Sequence, residues 1–138
     1  ELKIWDVELS AEEIYSEFLR ENEFDNYSLK GNWKFNEGSG DILYDQLGNQ
    51  NHGIIYGVPE EALNHILEND IPDKGILIFL DINMPRMSGW ELLNHLEKKL
   101  RHVKVKVVMV TSSLDRSDKE KAQKSPFVMD FWDIFNCN

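Results

Sequence analysis

The stretch Gly75-Ile76-Leu77-Ile78-Phe79-Leu80-Asp81, followed by Ile82-Asn83-Met84-Pro85, decides how this chain folds. From Gly75 to Leu80 there is no polar side chain, and the run stops at an acid. It is shorter than a typical helix, rich in branched and aromatic residues, and followed by the turn formers Pro85 and Gly89. Such a run predicts a strand covered on both faces, as in a parallel sheet. A second run of the same character, Val103 to Val110, ends at Thr111-Ser112-Ser113.

Between the two runs, Trp90 to Leu100 has helical periodicity, with Leu92, Leu93 and Leu96 inward and Lys98, Lys99 and Arg101 near its end, where cations suit the helix dipole. Upstream, Pro59 suits a first helical turn, and Ala62, Leu63, Ile66 and Leu67 share one face. Downstream, Asp115 to Lys124 predicts a charged helix and Phe127 to Trp132 a last short strand. The alternation of helix and strand from residue 60 onward implies right-handed crossovers and a parallel sheet.

The amino-terminal part has a different composition. Leu2 to Val7 predicts a short strand. Ser10 and Glu13 have the spacing of a capping box, so a helix is expected over 11–21 with Ile14, Phe18 and Tyr15 inward. Asn22 to Ser28 reads as a loop. Leu29 to Gly57 then holds six of the chain's eight glycines, with aromatic and polar residues alternating in Asn32-Trp33-Lys34-Phe35, which is strand-and-turn chemistry.

The 138 residues suit one domain with a real core, and 41% hydrophobic with 29% charged residues is ordinary for a globular chain. A lone cysteine, Cys137, excludes a disulfide framework and a cysteine-based zinc site. The net charge of −10 is uneven: residues 1–57 carry 12 acidic and 4 basic side chains, residues 58–138 carry 13 and 11. That acidity argues against nucleic acid as a direct partner. No apolar run reaches the roughly 18 residues of a membrane helix, so no membrane partner is expected. No signal peptide is visible, although a chain opening on Glu1 is compatible with a removed leader, and the expected compartment is the cytoplasm.

In open parallel sheets chemistry collects at the carboxyl ends of strands. Asp81 and Thr111 end the two apolar runs, so neighbouring strands would bring a carboxylate and a hydroxyl to one edge. A carboxylate there can attack a phosphoryl group, with Thr111 donating a hydrogen bond and a Mg²⁺ wanting further oxygens around Asp81. The plainer reading of an Asp at a strand end is a loop or cap residue. The four histidines, His52, His65, His95 and His102, lack ligand spacing. Trp33, Phe35 and Tyr44 could stack on a sugar, but core packing is the simpler role, and Ser39 and Ser112 lack evident triad partners.

Leu80-Asp81-Ile82-Asn83-Met84-Pro85-Arg86-Met87-Ser88-Gly89-Trp90, Val108-Met109-Val110-Thr111-Ser112-Ser113 and Pro126-Phe127-Val128-Met129-Asp130-Phe131 together resemble a response-regulator receiver domain, over about residues 58–133. The resemblance implies a flavodoxin-like α/β fold with five parallel strands flanked by helices, Asp81 as phospho-acceptor, Thr111 as switch hydroxyl, a Mg²⁺ held by Asp6, Asp81 and Asn83, and a histidine kinase or phosphotransfer protein as partner. It also implies that residues 1–138 form a single domain, with 2–21 supplying the first strand and helix and 22–57 an atypical Gly/aromatic-rich segment. Two positions depart from the family. Ile134 stands where a lysine is expected, and Val7 leaves the first-strand acidic pair with Asp6 alone. Residues 29–53 resemble the opening of a laminin-G-like jelly roll and 4–14 its closing segment, which implies a chimeric or degenerate first half with neither piece complete.

Overall fold

The computed structural model describes residues 1–19, 28–112 and 116–133. The chain divides into two compact units, Glu1–Ile55 and Tyr56–Asn138.

The first unit holds β1 (Leu2–Trp5), α1 (Ala11–Leu19), β2 (Leu29–Trp33), β3 (Ile42–Leu43) and β4 (Gly53–Ile54), and the second unit alternates helix and strand through α2 (Pro59–Glu68), β5 (Gly75–Asp81), α3 (Gly89–Lys99), β6 (Lys104–Thr111), α4 (Arg116–Ala122) and β7 (Val128–Asp133). The β-branched run of β6 lies between β5 and β7, and both pairings are parallel. Leu80, Met109 and Phe131 stand side by side across the three strands, and Asp81 is paired with Val110. Helix α2 starts with Pro59, whose missing N–H costs nothing in a first turn. Helix α3 starts at a full capping box, Ser88 and Glu91 bonding each other's backbone N–H.

Leu63 and Ile66 of α2 and Leu92, Leu93 and Leu96 of α3 pack on Leu80, Val105, Val107 and Met109 of the sheet. Leu96, Val107 and Met109 have no exposed surface at all. The expected burial of β5 on both faces does not hold. Ile76, Ile78 and Leu80 face the helices, while Leu77 and Phe79 remain 41% exposed. Polar and apolar residues do not alternate in Gly75–Leu80, so the sequence alone does not reveal that only one face meets α2 and α3. On the open face the rings of Phe79 and Trp132 lie 5.6 Å apart, and Val108, on the strand between theirs, is buried.

In the first unit β1 pairs antiparallel with β2, and β3 with β4. Leu2–Trp5 is thus a strand as expected, but it does not lead the parallel sheet: its hydrogen bonds go to Leu29–Trp33. The described parallel sheet has three strands where five were expected. The capping box at Ser10 and Glu13 forms, each side chain meeting the other's backbone N–H. The inward placement of Ile14, Tyr15 and Phe18 is overturned, since they are 56%, 63% and 79% exposed and α1 buries no residue. Helical periodicity marks a stripe, and among the described residues of this unit Leu29 is the one buried apolar side chain in the core set. The segments read as a loop at 22–28 and as the end of helix 11–21 lie largely outside the described residues.

Candidate functional site

Asp81 and Thr111 end adjacent parallel strands at the same carboxyl edge of the sheet. Asp81 is exposed, whereas Thr111 is 1% exposed and belongs to the packed interior. Within the described sheet Thr111 ends the central strand and Asp81 an edge strand.

The backbone around Asp81 is held by three bonds. The ladder extends one residue past the strand, Ile82 N–H donating to Val110 O at 3.2 Å. The Asn83 N–H donates to Asp81 Oδ1 at 2.9 Å, a local turn that bends the chain and sets the carboxylate's orientation. The Gly89 N–H donates to Ile82 O at 3.0 Å. The first residue of α3 approaches so closely that a Cβ on Gly89 would lie 2.4 Å from the Asp81 carbonyl oxygen. Glycine at that point is what lets the helix start directly behind the acid. Asp81 Oδ2 accepts no bond from a described residue and remains open for chemistry.

Helix α4 is tied to α3 beside this edge. The Trp90 indole N–H donates to Asp118 Oδ1 at 2.9 Å, Lys121 Nζ reaches the same oxygen at 3.3 Å, and Asp118 is 9% exposed. The ammonium of Lys121 also lies 5.6 Å from the Trp90 ring centre. Sequence reasoning did not single out this link, because a Trp and an Asp 28 positions apart carry no spacing signal. It read Gly89 only as a turn former and did not use the Ser88–Glu91 capping box, although the latter is legible as Ser-x-x-Glu ahead of an apolar run.

Of the metal ligands expected from the resemblance, Asp81 and Asn83 stand together at the strand end. Asp6 belongs to the first unit, where its carboxylate pairs with Lys30 at 2.9 Å and its N–H donates to Ser28 O at 2.9 Å. Among the described residues no group of three or more His, Cys, Asp or Glu stands together as a metal-binding set. Asp81 and Asn83 are thus the two expected ligands that stand together at this edge, and among the described residues the donors do not make a Mg²⁺ cage, which needs several oxygens in near-octahedral array. Ile134, at the expected lysine position, lies outside the described residues. No described helix is long and apolar enough to cross a membrane.

A family model described as the response regulator receiver domain matches residues 57–128. No curated protein and no solved structure matches the chain.

Proposed function

The chain belongs to the response regulator receiver domain family, and from that membership we propose that it serves two-component signalling by accepting a phosphoryl group on Asp81, with impaired efficiency. The observation that carries the proposal is the carboxyl edge: an exposed carboxylate with one open oxygen, fixed in orientation by the Asn83 N–H, one strand away from Thr111. In the transfer an Asp81 carboxylate oxygen bonds to phosphorus while the bond from phosphorus to the donor breaks. The donor is a phosphohistidine of a kinase or phosphotransfer protein, in the cytoplasm, or acetate's phosphoanhydride in the test tube. The product is an acyl phosphate on Asp81, and the electron pair leaves with the donor's nitrogen or oxygen. Thr111 is the hydroxyl we assign to the phosphorylated state's hydrogen bond.

Impairment follows from charge. The transferred group spreads negative charge over its oxygens, and cationic partners stabilise it. Receivers use Mg²⁺ for this, and here Asp81 and Asn83 are the residues that would hold it. Ile134 brings no cation where the family has lysine. A missing stabiliser of this kind costs about 3–4 kcal/mol of barrier, roughly a hundred- to thousand-fold in rate. The sparse acidic set among the described residues, with the missing lysine, favours a second reading, a receiver-shaped module that binds a partner without phosphorylation.

Mass spectrometry after acetyl phosphate and Mg²⁺ separates the two. The expected result is slow labelling of the parent at Asp81, faster labelling of Ile134→Lys, and none of Asp81→Asn. Rapid stoichiometric labelling of the parent would refute the impairment. No labelling of either active form would favour the partner-binding module.

A further inference from the structure

The face of the parallel sheet turned away from α2 and α3 carries a pattern that complements itself. Strand register fixes its membership. Ile76, Ile78 and Leu80 of β5 and Val105, Val107 and Met109 of β6 pack with the helix leucines, so the residues between them point to the other face. At the centre of that face stand Leu77 and Phe79 of β5 and Trp132 of β7, all more than 40% exposed, the two rings meeting across Val108. Charge is divided along the strands. Lys104 and Lys106 lie toward the amino end of β6, exposed and without an ion pair among the described residues. The acids lie toward the carboxyl end, Asp130 level with Val108 and Asp81 level with Val110. Asp130 accepts the Phe131 N–H at 2.7 Å and the Trp132 indole N–H at 2.6 Å, which orients its carboxylate and leaves lone pairs for an ammonium group.

Parallel sheets are found almost only with both faces covered, and an apolar patch rimmed by charge marks an interaction surface. The division of charge selects the occupant. When an identical face is laid on this one with its strands reversed, the levels exchange ends. Lys106, level with Leu77, then falls opposite the level of Phe79 and Asp130, and Lys104 falls opposite the level of Asp81 and Trp132. Each cation meets an acid, and Leu77 closes on Phe79. With the strands laid in the same direction, lysine would meet lysine and aspartate would meet aspartate, which is costly. We propose that this face is the interface of a two-fold dimer, in which two copies of the chain pack sheet to sheet with antiparallel strands and Lys106 of each copy pairs with Asp130 of the other. Two-fold pairing of a self-complementary patch is the commonest form of self-association, and aligned sheets pack about 10 Å apart. Three strands give a contact at the small end of specific interfaces, so the dimer is a weak, reversible one. The inference is independent of phosphorylation at Asp81.

The test is sedimentation velocity on the full chain over the micromolar to millimolar range at low salt, with amide shifts followed on dilution. The parent should pass from monomer to dimer as concentration rises, and the shifts should gather at Leu77, Phe79, Val108 and Trp132. Lys106→Glu sets acid against acid in its own dimer, and Asp130→Lys sets cation against cation, so each alone should dimerise at least about tenfold more weakly. Mixed in equal amounts, the two variants restore both pairs at once: Glu against Lys on one side, the native Asp130 and Lys106 on the other. The mixture should therefore associate as the parent does, which neither variant can do by unfolding. A parent that stays monomeric at every concentration overturns the dimer, whatever covers the face. A parent that dimerises while both single variants dimerise equally well, or while their mixture associates no better than either alone, places the contact on another surface and overturns it too.

Discussion

The two units follow the same local rules and reach different ends. Each starts a helix with a Ser-x-x-Glu capping box, at Ser10 and at Ser88, and each pairs its strands by backbone bonds. Yet among the described residues fourteen of the fifteen buried hydrophobic side chains lie in Tyr56–Asn138, and Leu29 alone lies in Glu1–Ile55. Caps and turns decide where elements begin and end, and they contribute little toward the conformational entropy lost on folding. Burial of apolar surface supplies the larger share. The comparison separates what local signals specify from what a core stabilises.

The sharpest way to break that comparison is to remove equivalent apolar groups from the two helices. Leu96, fully buried on α3, should cost about 2–5 kcal/mol on truncation to Ala, through lost contact and a cavity. Phe18 of α1 is larger but 79% exposed, and Phe18→Ala should stay within about 0.5 kcal/mol. Urea denaturation followed by tryptophan fluorescence measures both. Equal losses would mean that α1 is docked and that the units do not differ as described.

The same contrast explains what the sequence made legible. From residue 59 onward the order of elements, the strand runs and the inward leucines could be read, because apolar periodicity coincided with actual burial: Leu63, Ile66, Leu92, Leu93 and Leu96 are all in the core. In the first half Ile14 and Phe18 have helical periodicity but stay exposed, and the strand Leu2–Trp5 took an antiparallel partner that no short-range signal names. At the site, Asp81 and Thr111 were legible as strand ends. The Trp90–Asp118 link and the close approach of Gly89 were not, since both depend on how α3 meets its neighbours in space.

Glycine substitutions sharpen the comparison at the candidate site itself. Gly89→Ala places a Cβ against the Asp81 carbonyl, so α3 must shift, at about 1–3 kcal/mol of overpacking. Gly75, at the other end of β5, has no atom within 4 Å of such a Cβ, and Gly75→Ala should be near neutral in the same denaturation assay. If Asp81 phosphorylates, Gly89→Ala should also slow its labelling, because the carbonyl and the carboxylate belong to one residue.

The two capping boxes give a smaller, paired effect. Ser88→Ala removes the acceptor for the Glu91 N–H in a helix that carries core leucines, and should cost about 0.5–2 kcal/mol of global stability. Ser10→Ala removes the same bond from α1, which buries no residue. Its effect should appear as faster amide exchange within Ala11–Leu19 and leave the main unfolding transition unmoved. A shift of the main transition by Ser10→Ala would show that α1 is coupled to the core after all.

The smallest expected effect is electrostatic, and it contrasts the two units' best-placed aspartates. Asp45 keeps one orphan oxygen, whereas both oxygens of Asp70 are engaged. Asp70 accepts the N–H of Arg101 at 2.9 Å, of His102 at 2.9 Å and of Val103 at 2.8 Å, joining the turn after α2 to the start of β6. Those bonds, Val103's first, hold its carboxyl below the ordinary aspartate value of 3.8, against an opposing push from partial burial. A carboxyl whose value falls on folding binds its proton more readily in the unfolded chain. Its stabilisation is therefore complete above about pH 4–5, and is lost as the pH drops through and below 3.8 toward the folded value. Other carboxylates titrate in the same window, Glu13 and Glu91 among those also lowered, so the difference between parent and Asp70→Asn isolates this one. The urea midpoint of the parent should exceed that of Asp70→Asn at pH 7, and the gap should narrow steadily from pH 4 to pH 2. A gap that is constant with pH would mean that the three N–H groups find the protonated carboxyl as good a partner as the charged one.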